Sequence, residues 1–390
     1  MSEIYLDNSA TTKICDEALR KYNEVSQNIY GNPSSLHDFG YFAEKELDKA
    51  REAVLLSLSE KNSAVIFTAS GSEANNLAIF GRAFAKQRYK NGGKIITTAG
   101  EHASVASPIK KLSELGFKIA EIPTFEGKID TDALVRELTP DVILVSIMMV
   151  NNETGALYDV AEVSRLMKNN CPEAVLHVDA TQSYLKIKFT KKSIGADMIT
   201  LSSHKIEGPK GVGALVIDEK IIKSKGLVPL ILGGGQESGL RSGTENVPAI
   251  AAFGAAASVG YKNIDSNSKK MRELRDYLID KITSTPELSA ISVTNPTSCA
   301  PHILNITMPS IKSETTLHYL SSLGIYVSSG SACSSNSSHS SSALISFGKT
   351  LEEADTSIRI SFSHTNQFSD IDRLCDALAS AISKLARIKR

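Results

Sequence analysis

The chain has no tryptophan, only five cysteines in 390 residues, and no excess of either charge, with 43 lysines and arginines against 43 aspartates and glutamates. Each shortage excludes something. Balanced charge gives no reason to expect nucleic acid or an anionic membrane as the main partner. The basic ending Lys384, Arg387, Lys389, Arg390 reads as a solvated helix end. The cysteines, at 15, 171, 299, 333 and 375, form no CxxC pair and leave one over. That argues against a disulfide scaffold or a zinc site and for a reducing compartment, so a cytoplasmic location is expected. No apolar run approaches the roughly 18 residues of a membrane span. The opening Met1-Ser2-Glu3-Ile4 has no basic or apolar leader pattern, and no signal peptide is expected.

What is present is ordinary for a soluble globular protein, 42% hydrophobic and 22% charged. The length predicts a large domain plus a smaller one. From about 15 to 260, short apolar runs alternate with helical patterns. The runs 64–68, 94–98, 142–147, 175–178, 197–201 and 213–217 are apolar nearly throughout, which predicts a mainly parallel sheet covered on both faces. In such sheets ligands sit beyond the carboxyl ends of the strands. Five of these runs end in polar residues: Ser70-Gly71-Ser72, Glu101-His102, Asn151-Asn152-Glu153, Asp179 and Ser202-Ser203-His204-Lys205. After 260 the texture changes to helices, Pro-containing turns and short strands. We read residues 15–260 as the large domain, and 1–14 with 261–390 as a smaller α/β domain. The Ser-rich segment 328–342, which contains Cys333, is read as a mobile loop.

Lys205 follows a buried run and precedes Gly208-Pro209-Lys210-Gly211. An amine in an enclosed polar site can form a Schiff base with an aldehyde; a surface lysine in a glycine-rich loop is the plainer alternative. Asp179 ends an apolar strand, where a carboxylate needs a cationic partner such as a pyridinium nitrogen, or else caps the next helix. Gln182 lies three positions on. Ser70-Gly71-Ser72 before a helix offers an anion site without matching a nucleotide fingerprint. His102 either stacks on a ring or is structural. Arg359, in the alternating Ser357-Ile358-Arg359-Ile360-Ser361, suits a carboxylate ligand or an internal salt bridge. Among the thiols, only Cys333 lies in a polar loop where a thiolate would be accessible.

Together these blocks resemble the class V pyridoxal-phosphate family, and within it the NifS/IscS-type cysteine desulfurases. The resemblance runs nearly end to end, from Tyr5-Leu6-Asp7-Asn8-Ser9-Ala10-Thr11-Thr12 through His177-Val178-Asp179-Ala180-Thr181-Gln182 and Arg241-Ser242-Gly243-Thr244-Glu245-Asn246 to Ser328-Ser329-Gly330-Ser331-Ala332-Cys333. It implies a PLP-dependent transferase of fold type I, with a mainly parallel seven-stranded sheet and a smaller α/β C-terminal domain. By position, it implies pyridoxal 5'-phosphate held as a Schiff base on Lys205, with Asp179 at the pyridine nitrogen, Gln182 and Asn152 near the phenolic oxygen, and His102 on the ring. Gly71, Ser72, Ser202 and His204 would hold the phosphate, with Thr244 reaching in from a second subunit of a homodimer. Arg359 would bind the carboxylate of L-cysteine. Cys333 would take the sulfur as a persulfide, leaving alanine, and pass it to an acceptor protein such as an iron–sulfur scaffold or a tRNA-thiolation protein. No resident metal is implied; Cys333 could at most touch a cluster transiently. Glu207 departs from the family, which usually has an aromatic residue there, and Ser72 replaces a common threonine. The alternatives are another reaction on the same scaffold (selenocysteine lyase, aminotransferase, β-lyase) or a non-catalytic binding protein. Cys333 separates the first group, because those reactions need no sulfur carrier.

Overall fold

The computed structural model describes residues 3–85, 93–329 and 341–385. Its strands, numbered along the chain, are β1 (Ile4–Tyr5), β2 (Ser63–Thr68), β3 (Lys94–Thr98), β4 (Lys118–Ile122), β5 (Thr124–Phe125), β6 (Lys128–Ile129), β7 (Val142–Met148) and β8 (Val175–Asp179). They continue as β9 (Met198–Ser202), β10 (Gly213–Asp218), β11 (Ser292–Thr294), β12 (Ile303–Thr307), β13 (Ile325–Tyr326), β14 (Ser328–Ser329) and β15 (Ser357–Ser361).

Seven strands form the main sheet in the order β2-β10-β9-β8-β7-β3-β4. Only β10 runs against its neighbours. Residues alternate between two cores, as the period of a strand requires. One face places Ile66, Ile95, Ile143, Val175, Met198 and Leu215 against the helices Gly71–Ala83 and Ala103–Glu114. The other places Phe67, Ile96, Val145, Val178, Ile199 and Val216 against Asp38–Ser57, Val160–Asn170 and Val247–Lys262. Double coverage explains why β7, β8 and β9 are buried at every position.

A second, four-stranded antiparallel sheet has the order β11-β12-β15-β14. The helices Ile264–Ser284 and Phe368–Leu385 pack on it around Leu274, Leu278, Ile306, Ile358, Leu374 and Leu378. The chain's start joins this core. Ile4 and Leu6 are buried in it, β1 pairs in parallel with β13, and Asp7 bridges Ser361. The alternation in 357–361 suggests a half-exposed strand, yet all five residues are buried, because β15 lies between β12 and β14 and its polar side chains find internal partners. The sequence reading passes over β4, Lys118-Ile119-Ala120-Glu121-Ile122. It is an edge strand that pairs only with β3 and is largely solvent-facing, so it lacks the apolar run that marks its neighbours.

Candidate active site

The carboxyl ends of β2, β3, β7, β8 and β9 open on one cavity of about 400 Å³. Gly71, Ser72, His102, Asn152, Asp179, Gln182, Ser202, His204 and Lys205 line it, and β15 of the smaller sheet adds Arg359. Ten positions proposed from sequence therefore converge. Thr244 is not among the lining residues; it borders a separate recess beside Ala69 and Arg241. Cys333 lies outside the described residues. The two ends of the segment that contains it, however, are at the cavity: Ser329 lines it, and the Ser341 hydroxyl donates to Glu153, which lines it too.

Asp179 is the last residue of β8 and is buried. One carboxylate oxygen accepts from Asn75 Nδ2 at 2.8 Å and the other from the Thr181 backbone N–H at 2.9 Å. Asn75 also donates to Ser104 Oγ at 2.8 Å, which lies 2.8 Å from His102 Nδ1. His102 caps the helix Ala103–Glu114, its Nδ1 accepting from Ser104 N. That bond selects the tautomer with its proton on Nε2. Burial lowers the imidazole's pKa, and the nearby Asp179 charge only partly opposes this. The structural and functional readings of His102 are thus compatible: one nitrogen caps the helix while the ring lines the cavity.

At the mouth of β2, Ser70 caps the helix Gly71–Ala83 by accepting from Glu73 N. A Cβ on Gly71 would come 3.2 Å from Ser202 Cβ and 3.3 Å from Thr181 Oγ1. The glycine therefore lets the helix start approach the end of β9 closely. Gly71, Ser72, Ser202 and His204 make a cradle with hydroxyl donors and a positive dipole end, suited to a phosphate. His204 is pushed down to about 4 by burial and by the charges of Lys205 and Lys210, which keeps it neutral near pH 7.

Lys205 ends a single 3₁₀ turn after β9. Its Nζ donates to the carbonyls of Ser9 and Ala10. Gln182 Nε2 donates to the Ser9 carbonyl at 3.0 Å, so part of the side chain expected at a cofactor oxygen is engaged there. Arg359 Nη1 donates to the Asn152 carbonyl at 2.8 Å and Nη2 to Asp7 at 2.9 Å, while its buried Nε has no partner among the described residues. Asn75 Oδ1 and Ser9 Oγ are similarly buried and unpartnered. Orphaned polar atoms are costly to bury. Around a cavity with an amine, a carboxylate and an anion cradle, they fit a polar, phosphorylated ring compound.

Asp7, Asn75, Ser104 and Glu153 also line the cavity, although the sequence reading gives them no role. Asp7 lies inside the block Tyr5-Leu6-Asp7-Asn8-Ser9-Ala10-Thr11-Thr12 and Glu153 inside Asn151-Asn152-Glu153, while Asn75 follows Ser70-Gly71-Ser72 by one helical turn; that nearness to the quoted blocks is the signal the sequence carries for them. Burial pushes Glu153 up to about 7.

The site therefore joins a lysine, a carboxylate and an anion cradle at the strand ends of a doubly covered α/β sheet, and the comparisons give the family: aminotransferase class V. The chain belongs to that family, whose pattern matches residues 4–374. Among relatives, it is 35% identical over 382 residues to a protein of Archaeoglobus fulgidus named cysteine desulfurase IscS 1, covering 98% of this chain and 97% of that one. It is 36% identical over 388 residues to cysteine desulfurase IscS of Dictyoglomus turgidum, covering 99% and 96%. The fold superposes on a solved NifS-like protein with a TM-score of 0.90 at 33% identity, covering 98% of this chain and all of the other. A NifS-like protein of Rickettsia africae gives 0.85 at 32%, again with 98% and 100% covered.

Proposed function

We propose that the chain is a pyridoxal-phosphate-dependent cysteine desulfurase, which converts L-cysteine to L-alanine and holds the sulfur as a persulfide on Cys333. The supporting observation is the convergence of Lys205, Asp179, the cradle at 71–72 and 202–204, and Arg359 on one cavity. The full-length relatives named cysteine desulfurases point the same way.

Bound there, pyridoxal phosphate supplies an aldehyde that an amine can capture and a ring that stores the electron pair released at the substrate's α-carbon. Gly71, Ser72, Ser202 and His204 would hold its phosphate, with Thr244 of a second copy of the chain. Asp179, anchored by Asn75 and Thr181, would pair the ring nitrogen; His102 would lie on the ring, and Asn152 and Gln182 on its phenolic side. Lys205 would be the amine that captures the aldehyde, and would carry protons at the substrate's α-carbon and Cβ. Arg359 takes the substrate carboxylate, sharing its charge with Asp7. The Cys333 thiolate attacks the substrate sulfur. An S–S bond forms, the Cβ–S bond breaks, and Cβ gains the thiol's proton equivalent to end as a methyl. Oxidation of the two sulfurs balances reduction of Cβ, so no outside oxidant is needed. The sulfur then passes to an acceptor protein, an iron–sulfur scaffold being the partner we favour. A persulfide carrier needs a reducing surrounding, and we place the chain in the cytoplasm.

The test is release of sulfide and alanine from L-cysteine with a reductant. Wild type should make both in equal amounts, and Cys333→Ala should keep its yellow cofactor but lose activity. Equal activity in the variant would make the chain a β-lyase.

A further inference from the structure

Across the N-terminal segment from the catalytic cavity lies a second one, of about 340 Å³. Four stretches of chain contribute to both, and the helices Val247–Lys262 and Ile264–Ser284 complete the second. Ser9 and Ala10 face the first cavity and Thr12 the second; Gln182 faces the first and Lys186 the second; Lys205 is followed by Glu207, and Arg359 by His364.

Lys186 is 7% exposed, lines this second cavity, and has no hydrogen bond or ion pair among the described residues. An unpaired ammonium so deeply buried is costly unless something compensates it. Burial lowers its pKa below the ordinary lysine value, and the Glu207 carboxylate that faces it only partly opposes this. Glu207 Oε1 lies 3.2 Å from His364 Nδ1. Burial opposes ionisation of Glu207, but the His364 bond and the Lys186 charge outweigh it and hold its pKa below the ordinary value. The residue is kept at a left-handed φ of 65°, unfavourable for a side chain, by two bonds: its N–H donates to Thr12 Oγ1 at 2.8 Å, and its carbonyl accepts from Cys15 N at 2.9 Å. The remaining wall is partly apolar, including Leu185, Val259 and Met271.

We propose that this cavity is a second ligand site, and that it takes a small α-amino acid whose carboxylate pairs with Lys186 and whose ammonium meets Glu207. A bare anion would be drawn to Lys186 but repelled by Glu207, and a bare cation the reverse; a zwitterion satisfies both. The volume is in the range of small-molecule pockets.

The test uses the cofactor-loaded Arg359→Ala variant, in which carboxylate binding at the catalytic cavity is removed, titrated calorimetrically with L-alanine. A saturable isotherm is expected. Adding Lys186→Met should abolish it, adding Glu207→Gln should weaken it about tenfold, and acetate should compete at least about tenfold more weakly than alanine. An unchanged thermal midpoint in the Lys186 variant shows that the fold survives; if Met disturbs it, Lys186→Gln replaces it. No isotherm up to tens of millimolar, an isotherm indifferent to Lys186, or acetate binding as tightly as alanine would each overturn the proposal. Turnover is not part of the readout, so a failure here is separable from a failure of the desulfurase reading.

Discussion

At the scale of single residues, the molecule places titratable groups where burial sets their charge. Glu101 is buried beside His102, with one carboxylate oxygen accepting from Thr98 and from Met148 N while the other has no partner among the described residues. Burial raises its pKa from 4.5 to about 8; the two hydrogen bonds oppose this and the Asp179 charge adds to it. The folded chain thus keeps a proton that the unfolded chain gives up across pH 4.5 to 8. Stability should fall as pH rises through that window, by up to about 1.4 kcal/mol per unit from this group. His177 and His204, both pushed down to about 4 by burial, act in the opposite sense on the acid side, losing stability as pH falls from 6.5 towards 4. Urea unfolding at pH 5 and 8 should therefore show wild type losing more stability on the alkaline side than Glu101→Gln. Equal slopes would mean that Glu101 is ionised in the fold. Sequence alone shows a glutamate before His102, but not that Met148 of β7 donates to it from 47 positions away.

At the scale of elements, the cradle depends on how tightly a turn and a strand meet. A Cβ on Gly213, the first residue of β10, would come 2.5 Å from the Ser70 carbonyl carbon and 2.7 Å from Gly71 N. Both are backbone atoms and cannot rotate away. Gly213→Ala should displace the start of the helix Gly71–Ala83, lowering phosphate-cofactor affinity about tenfold or more and stability by about 1–3 kcal/mol. Absorbance titration and denaturant melts would read the two effects. An alanine variant with wild-type affinity would show that the turn is not held by this contact. The central strands were legible because β7, β8 and β9 are apolar runs ending in polar residues, and the catalytic candidates at those ends followed. The partners that align them were not: Asn75 reaches Asp179 across 104 positions and Asp7 reaches Arg359 across 352, and no local pattern reports such pairs.

At the scale of the whole molecule, two cores meet at the cavity. We propose that 1–14 with 261–390 act as one body and 15–260 as the other, since Ile4 and Leu6 pack with Leu274, Ile358 and Leu378 rather than with the main sheet. Ile4 and Leu6 are then structural. Leu6→Ala should cost about 2–5 kcal/mol in denaturant unfolding, the range for a fully buried leucine. A cost below about 0.5 kcal/mol, typical of surface changes, would refute this division.

The pairing of β1 with β13 and of Asp7 with Ser361 has a consequence for the order of events during synthesis. Ile4 is made more than three hundred residues before its partner Ile325. At about 5–20 residues per second, that is a wait of roughly 15–60 s. Until it ends, the carbonyls of Ser9 and Ala10 that receive the Lys205 amine are not fixed by the small sheet. The Lys205 amine reaches its final setting only once the strands of the small sheet have been made, so a chain that stops short of β15 carries this lysine without the frame that positions it.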